Sequence, residues 1–172
     1  AKNPKLSAKE KDKIASIVGV GAIKYNDLSQ NRVGAITFNW EKMLSITGNS
    51  APYLQYTYAR LRSILRKGHL GKPAYRRAVF DVKYFGDADR QIVIKLSQFP
   101  EAIRRSAEEY LPNHLANYLY NLAQIINGYY EMNPILQSEP ATRALRLNLI
   151  NAVAETLKNG LNLLGIKTLE RM

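Results

Sequence analysis

The sequence predicts an all-α helical bundle, and two observations carry that expectation. Apolar residues in its long stretches recur at intervals of three, four and seven, the period of one helix face. Breaks at Gly68 to Pro73, at Phe99-Pro100, at Asn133-Pro134 and at Gly165 separate those stretches. With 172 residues, 46% hydrophobic and 23% charged, the chain can bury the core of one domain, or of one domain with an appendage.

The first helix starts at a capping box, Ser7-Ala8-Lys9-Glu10, in which each of the outer side chains can take up the other's backbone N–H. Ile14, Ile17, Val18, Gly21, Ala22 and Tyr25 then share one face, which predicts a helix running to about Tyr25. Its glycines suit the close approach of a neighbouring backbone. Residues 26–50 read as an irregular connection with a short extended run, Ile36-Thr37-Phe38, and one helical turn from Trp40 to Leu44. Trp40, the only tryptophan, is expected to be a buried anchor for this connection rather than a stacking platform.

The stretch from Gly48 to Lys67 organises the rest. Asn49 or Ser50 can cap a helix that starts near residue 51, and Pro52 suits its first turn because its missing N–H would have had no partner there. At roughly 100° per residue, Leu54, Tyr58, Leu61 and Leu65 fall on a core arc. Tyr53, Tyr56, Arg60, Ser63 and Lys67 fall nearly opposite, on an arc expected to be exposed.

Gly68-His69-Leu70-Gly71-Lys72-Pro73 ends this helix, and His69 is expected in solvent. Residues 74–88 read as a surface insertion whose Arg76 and Arg77 are either solvated or set against phosphate. A helix carrying Ile92 and Leu96 follows, ended by Phe99-Pro100, and Pro100 opens another that carries Ile103, Ala107 and Tyr110. The helix opened by Pro112 has a core stripe of Leu115, Leu119, Leu122 and Ile126 and reaches Tyr129 and Tyr130 at its end. Asn117, Asn121 and Gln124 lie off that stripe. The last helix, from Glu139-Pro140, carries Leu147, Ile150, Ala154, Leu157, Leu161 and Leu164, and Gly165 stops it before a tail of residues 166–172.

Charge is concentrated in one place. Between Glu41 and Asp81 there is no acidic residue, while Lys42, Arg60, Arg62, Arg66, Lys67, Lys72, Arg76 and Arg77 lie there; they supply eight of the eleven net positive charges. Such a single-sign field attracts polyanions, nucleic acid above an anionic membrane, because the helix has no apolar face left for lipid once its core stripe is used. Within that field, two readings of Tyr53 and Tyr56 stand: platforms for unpaired bases, or rings packed under a neighbouring helix. No apolar run is long enough to span a bilayer, and the opening Ala1-Lys2-Asn3-Pro4-Lys5 is no signal peptide, so a cytoplasmic protein is expected. Zero cysteines exclude disulfides and thiolate metal sites, and two histidines make a metal site an unpromising expectation. Gly19-Val20-Gly21 lies inside a helical pattern, so it is not a nucleotide-binding glycine loop.

Gly48 to Arg62 resembles the segment that opens the C-terminal domain of arginyl-tRNA synthetases, class I enzymes that join arginine to its tRNA. Val18 to Arg32 resembles the same family's approach to that domain, and Gly160 to Ile166, closing on Glu170-Arg171-Met172, resembles its C-terminus. The resemblance implies a helical bundle of the class I synthetase anticodon-binding type over 48–172, with 1–47 as the linking helix and connection to a catalytic domain that is not in this chain. It implies tRNA for arginine and that catalytic domain as partners, a monomer, and ATP as a cofactor of the missing part only. The His-Ile-Gly-His and Lys-Met-Ser-Lys type elements that hold ATP in class I synthetases are absent, so this piece is expected not to activate arginine alone. By motif position, the anticodon-reading residues carry over to Tyr56, Arg60, Tyr130 and Met172, with Tyr53, Arg62, Arg66 and Lys67 as candidates for contacts to the tRNA backbone. Asn39 and Asn121 stand where the family often has acids, so ion pairs at those positions are not expected. Two other readings are a free-standing, sequence-tolerant RNA-binding module and a protein-interaction bundle that docks a partner helix on its tyrosine-rich face.

Overall fold

The computed structural model describes residues 7–35, 37–68 and 84–172. The expectations for Ile36, His69, Arg76, Arg77 and most of the 74–88 insertion lie outside the described residues. Among those described there are seven helices and no strand.

Helix α1 spans Ala8–Ser29 and opens on the expected capping box, with Ser7 N donating to Glu10 Oε2 at 2.9 Å and Glu10 N donating to Ser7 Oγ at 3.3 Å. It runs past Tyr25, where irregular chain was expected, because Leu28 lies one turn on and packs against the core. Gly21, Ala22 and Tyr25 are its buried residues. The Tyr25 hydroxyl shares its proton between Asn49 Oδ1 at 2.6 Å and the Ala116 carbonyl at 3.0 Å, joining three parts of the chain, and burial raises this phenol's pKa well above its ordinary value.

Helix α2, Trp40–Leu44, is the expected single turn. Asn39, the residue standing in place of an acid, caps it by accepting from Lys42 N at 3.0 Å. Trp40 is not the buried anchor that was expected. It is 59% exposed and sits edge-on to the exposed Phe38, ring centroids 4.8 Å apart, while Met43 takes the buried seat of this turn. The ring finds its partner in the extended approach to the turn and not in the bundle.

Helix α3, Ala51–Lys67, starts where Ser50 accepts from Tyr53 N at 3.3 Å; the Ser50 hydroxyl in turn donates to the Ser45 carbonyl. Helices α4, Asp87–Ser97, and α5, Phe99–Glu108, meet at the expected Phe99-Pro100 break. Helices α6, Asn113–Met132, and α7, Pro140–Leu163, carry the longest core stripes, and every stripe residue expected for them is buried. Both pack against α3 and against each other, and α1 packs on α3 and α6, so α3 is enclosed on several sides. At the α6–α7 crossing, a Cβ built on Gly160 would meet Leu119 Cδ2 at 2.4 Å, which explains glycine there.

The ends of α5 and α7 share one geometry. Beyond α7, Gly165 adopts φ +69°, with Ile166 N donating to Leu161 O at 2.8 Å and Gly165 N to Asn162 O at 2.9 Å. Beyond α5, the same paired bonds run from Leu111 N to Ser106 O at 3.0 Å and from Tyr110 N to Ala107 O at 3.3 Å, but the left-handed residue is Tyr110, φ +55°. Tyr110 was expected on a helix face. It stands outside the helix and is 75% exposed.

Two stability predictions result. Tyr110→Gly relieves a left-handed cost of about 1–2 kcal/mol, more than the roughly 0.4–1 kcal/mol lost by freeing the unfolded chain. The melting temperature should therefore rise by about 2–4 °C, and a fall would mean that the exposed ring contributes packing instead. Gly160→Ala presses a methyl into the fully buried Leu119 and should cost about 1–3 kcal/mol in denaturant unfolding; a neutral result would show that the α6–α7 crossing can open.

Candidate nucleic-acid interface

The first half of α3 is buried nearly all round, so its outward arc is narrower than the periodicity predicts. Besides Leu54, Tyr58, Leu61 and Leu65, the residues Gln55, Thr57, Ala59 and Ile64 are also buried. Tyr53 was expected on the exposed arc, but it is half-buried against the core. Its ring meets Tyr120 edge-on at 5.6 Å, and its hydroxyl accepts from Asn127 Nδ2 at 3.0 Å, an amide that also donates to Thr57 Oγ1 at 3.0 Å. Tyr53 therefore joins α3 to α6. Of the two tyrosines on that arc only Tyr56, 45% exposed, offers a ring to solvent.

Arg60, one turn after Tyr56, stacks its guanidinium over the Tyr130 ring at 4.3 Å from the centroid. Such stacking uses the flat face of the cation and leaves the N–H edge for hydrogen bonding, which an ammonium cannot reproduce. Tyr130 is half-buried at the end of α6, so α6 supplies the floor that orients a side chain of α3.

The turn at Gly165 returns the tail along α3. Ile166 and Leu169 bury their side chains in the bundle, Lys24 Nζ donates to the Gly165 carbonyl at 2.8 Å, and the fully buried Gln55 donates through Nε2 to the Lys167 carbonyl at 2.8 Å. Gly21 makes room for this seam: a Cβ there would lie 3.0 Å from Gln55 Nε2 and 3.2 Å from Ile166 Cγ2. Farther along, Glu170 lies across successive turns of α3. Its Oε1 accepts from the Tyr58 hydroxyl at 2.8 Å, and its Oε2 accepts from Arg62 Nε at 3.1 Å and from Arg66 Nη1 at 3.4 Å. The backbone carbonyl of Glu170 also accepts from Arg66 Nη1, at 3.2 Å. Arg62 reaches Glu155 of α7 as well, at 3.7 Å.

The Glu170 carboxyl is pulled both ways. Partial burial raises its pKa, but the hydrogen bonds from Tyr58 and Arg62 and the charges of Arg62 and Arg66 together outweigh burial and hold it below the ordinary 4.5. Burial first, and then the bond to Glu170, push the Tyr58 phenol up to about 12.

Between α3 and the tail lies an open groove of about 660 Å³, lined by Tyr56, Arg60, Ser63, Lys67, Arg171 and Met172 among others. The four residues assigned to anticodon reading are thereby brought together: Tyr56, Arg60 and Met172 line the groove, and Tyr130 lies under Arg60. Of the four candidates for backbone contact, Lys67 is exposed at the groove and Arg66 also lines it, whereas Arg62 and Arg66 are engaged with Glu170 and Tyr53 with α6. Glu170 and Gln55 were not singled out from the sequence. The only signal available was that Tyr58, Arg62 and Arg66 recur every four residues, one donor per turn. A flat ring, a stacked guanidinium and a thioether along one concave, basic surface can take unstacked bases and their phosphates.

Comparison with known proteins bears on the family. The family model of the DALR anticodon binding domain matches residues 54–172, and the model of the class I (R) tRNA synthetase catalytic domain matches residues 1–40. The chain is 46% identical over 172 residues to the arginine–tRNA ligase of Haemophilus influenzae (strain PittGG) and 44% identical over 171 residues to that of Mannheimia succiniciproducens. It covers 99% of itself and only 29–30% of those relatives. Among solved structures, the Thermus thermophilus arginyl-tRNA synthetase superposes with a TM-score of 0.90 at 34% identity, over 99% of this chain and 29% of that one. The Plasmodium falciparum arginyl-tRNA synthetase gives 0.75 at 25% identity, over 94% of this chain and 28% of its own. With more than half of its residues matched, this chain belongs to the DALR anticodon binding domain family.

Proposed function

We propose that this chain is the anticodon-reading part of an arginine–tRNA ligase and that it acts by shape and single-strand readout. The observation that carries the proposal is the groove between α3 and the tail, where Tyr56, Arg60 and Met172 meet and Tyr130 backs the arginine. Bases splayed from an anticodon loop stack on Tyr56 and pack against Met172, the Arg60 N–H edge takes a base edge or phosphate, and Lys67 and Arg171 supply charge. Arginine activation and ATP belong to the catalytic domain, whose family model matches this chain only over residues 1–40. The rest of that domain is proposed to lie against the surface around α2, where Phe38, Trp40, Leu44 and Ile46 are all exposed; this apolar surface adjoins the segment matched by the catalytic-domain family. Among the described residues no helix is long and apolar enough to cross a membrane.

Binding of this chain to an arginine-type anticodon stem-loop, beside the same hairpin with altered anticodon bases, tests the reading. Tyr56→Ala should weaken the arginine hairpin by about 1–3 kcal/mol and the altered hairpin much less. With Arg60, Lys67 and Arg171 as the phosphate-facing cations, log affinity should fall with log salt at a slope of about −2. If both hairpins bind alike and fade together with salt, the chain is a sequence-tolerant RNA binder. If neither binds, the helix-docking alternative gains.

A further inference from the structure

The groove is formed on one side by α3 and on the other by the tail that follows Gly165. The tie between the two is local. Ile166 and Leu169 bury their side chains in the bundle, and Glu170, two residues before Met172, carries a set of bonds to α3. Its carboxylate takes Tyr58 on one oxygen and Arg62 and Arg66 on the other, and its carbonyl takes Arg66 again. Tyr58 is 1% exposed and cannot move to follow a displaced tail, so this end of the network is fixed by the core.

The same bonds have a second effect. Arg62 and Arg66 belong to the acid-free basic interval, yet both are paired with Glu170, whose single negative charge offsets one of their two positive charges. A carboxylate set among the arginines of a polyanion-binding surface weakens non-specific attraction to phosphate. Its placement is therefore a cost in raw affinity unless it secures something else, and what it secures is the position of Met172.

Building on the anticodon-reading function proposed above, we infer that Glu170 is a positioning residue for base discrimination. It fixes Met172 in the groove through Tyr58, Arg62 and Arg66, and it withholds those two arginines from phosphate. Base preference is thereby raised by ordering the base-contacting thioether, while attraction to any anionic strand is lowered alike.

The chain's methionine content makes the first effect directly visible. Of its three methionines, Met43 is 4% exposed in the core and Met132 is 77% exposed, so their labelled methyl groups serve as folded and solvent references for Met172. In Glu170→Ala, the Met172 methyl resonance should move toward that of Met132 and sharpen, with Met43 unchanged. With Glu170→Gln, which keeps the shape but not the charge, the shift should be partial; this variant serves alone if the alanine chain does not fold.

The second effect is read on the two hairpins. Glu170→Ala should bind the altered hairpin more tightly than wild type does, with a steeper salt dependence, while the preference for the arginine hairpin falls about tenfold, the scale of one lost base contact. Removing Met172 should abolish the preference to a similar degree, and adding Glu170→Ala to that deletion should lower it no further. A purely structural role for Glu170 would weaken both hairpins together. An unmoved Met172 methyl overturns the inference whatever the RNA does, and so does a moved methyl with the preference intact, although in both cases anticodon reading itself stands. If wild type makes no distinction between the hairpins, anticodon reading fails first and the role inferred for Glu170 fails with it.

Discussion

Everything that this molecule presents to a partner depends on the enclosure of α3. A helix buried on one stripe can roll or slide against its neighbours. One that also buries Gln55, Thr57, Ala59 and Ile64 cannot, because its buried side chains engage more than one neighbour. Gln55 reaches the tail, Thr57 shares Asn127 with Tyr53, and Tyr58 reaches Glu170. The exposed remainder of α3 is accordingly a rigid rail, and Tyr56, Arg60 and Lys67 project from it at fixed spacing. Preorganisation of this kind spares the side-chain and backbone ordering that a flexible site would have to meet on binding RNA.

The electrostatics make sense only after the tail is in place. Counted along the chain, residues 42–80 are uniformly basic and suggest a surface in which every arginine faces phosphate. In three dimensions, an acid from 104 to 108 residues downstream lies on Arg66 and Arg62, and Glu155 lies near Arg62. These pairs are partly exposed, and each is worth little to stability alone. Their consequence is spatial: they divide the basic interval into cations that hold the protein together and cations that remain at the groove.

Much of the fold was legible because helices carry local signatures. The box at Ser7 to Glu10, the cap before Ala51, the Phe99-Pro100 break and the stop at Gly165 all lie within a few residues of the feature they determine. What could not be read depended on neighbours distant in sequence. Tyr53 and Tyr56 are alike to a helical wheel, and only the arrival of Tyr120 and Asn127 from α6 distinguishes the packed ring from the free-facing one. Trp40 was misjudged for the opposite reason. Burial is the usual fate of so large an apolar ring, but a five-residue turn at the edge of the bundle offers Trp40 no cavity and leaves it against Phe38. Gathering Tyr56, Arg60, Tyr130 and Met172 in one place was implied by resemblance alone, since α6 and the tail contribute from 70 and more residues away.

The two left-handed helix ends show how the same local geometry serves different purposes. At Gly165, the reversal is free of strain and the next residue, Ile166, is buried; the turn therefore aims the tail back along α3 and toward the groove. At Tyr110, the same reversal is carried by a residue that pays for it in backbone strain, and the ring it exposes touches nothing in the core. A substitution at Gly165 would act on the path of the tail and so on Met172, far beyond its own cost, whereas one at Tyr110 acts on stability alone. The position of Met172 thus depends on a chain of constraints that begins at a glycine seven residues before it and continues through Ile166, Gln55, Leu169 and Glu170.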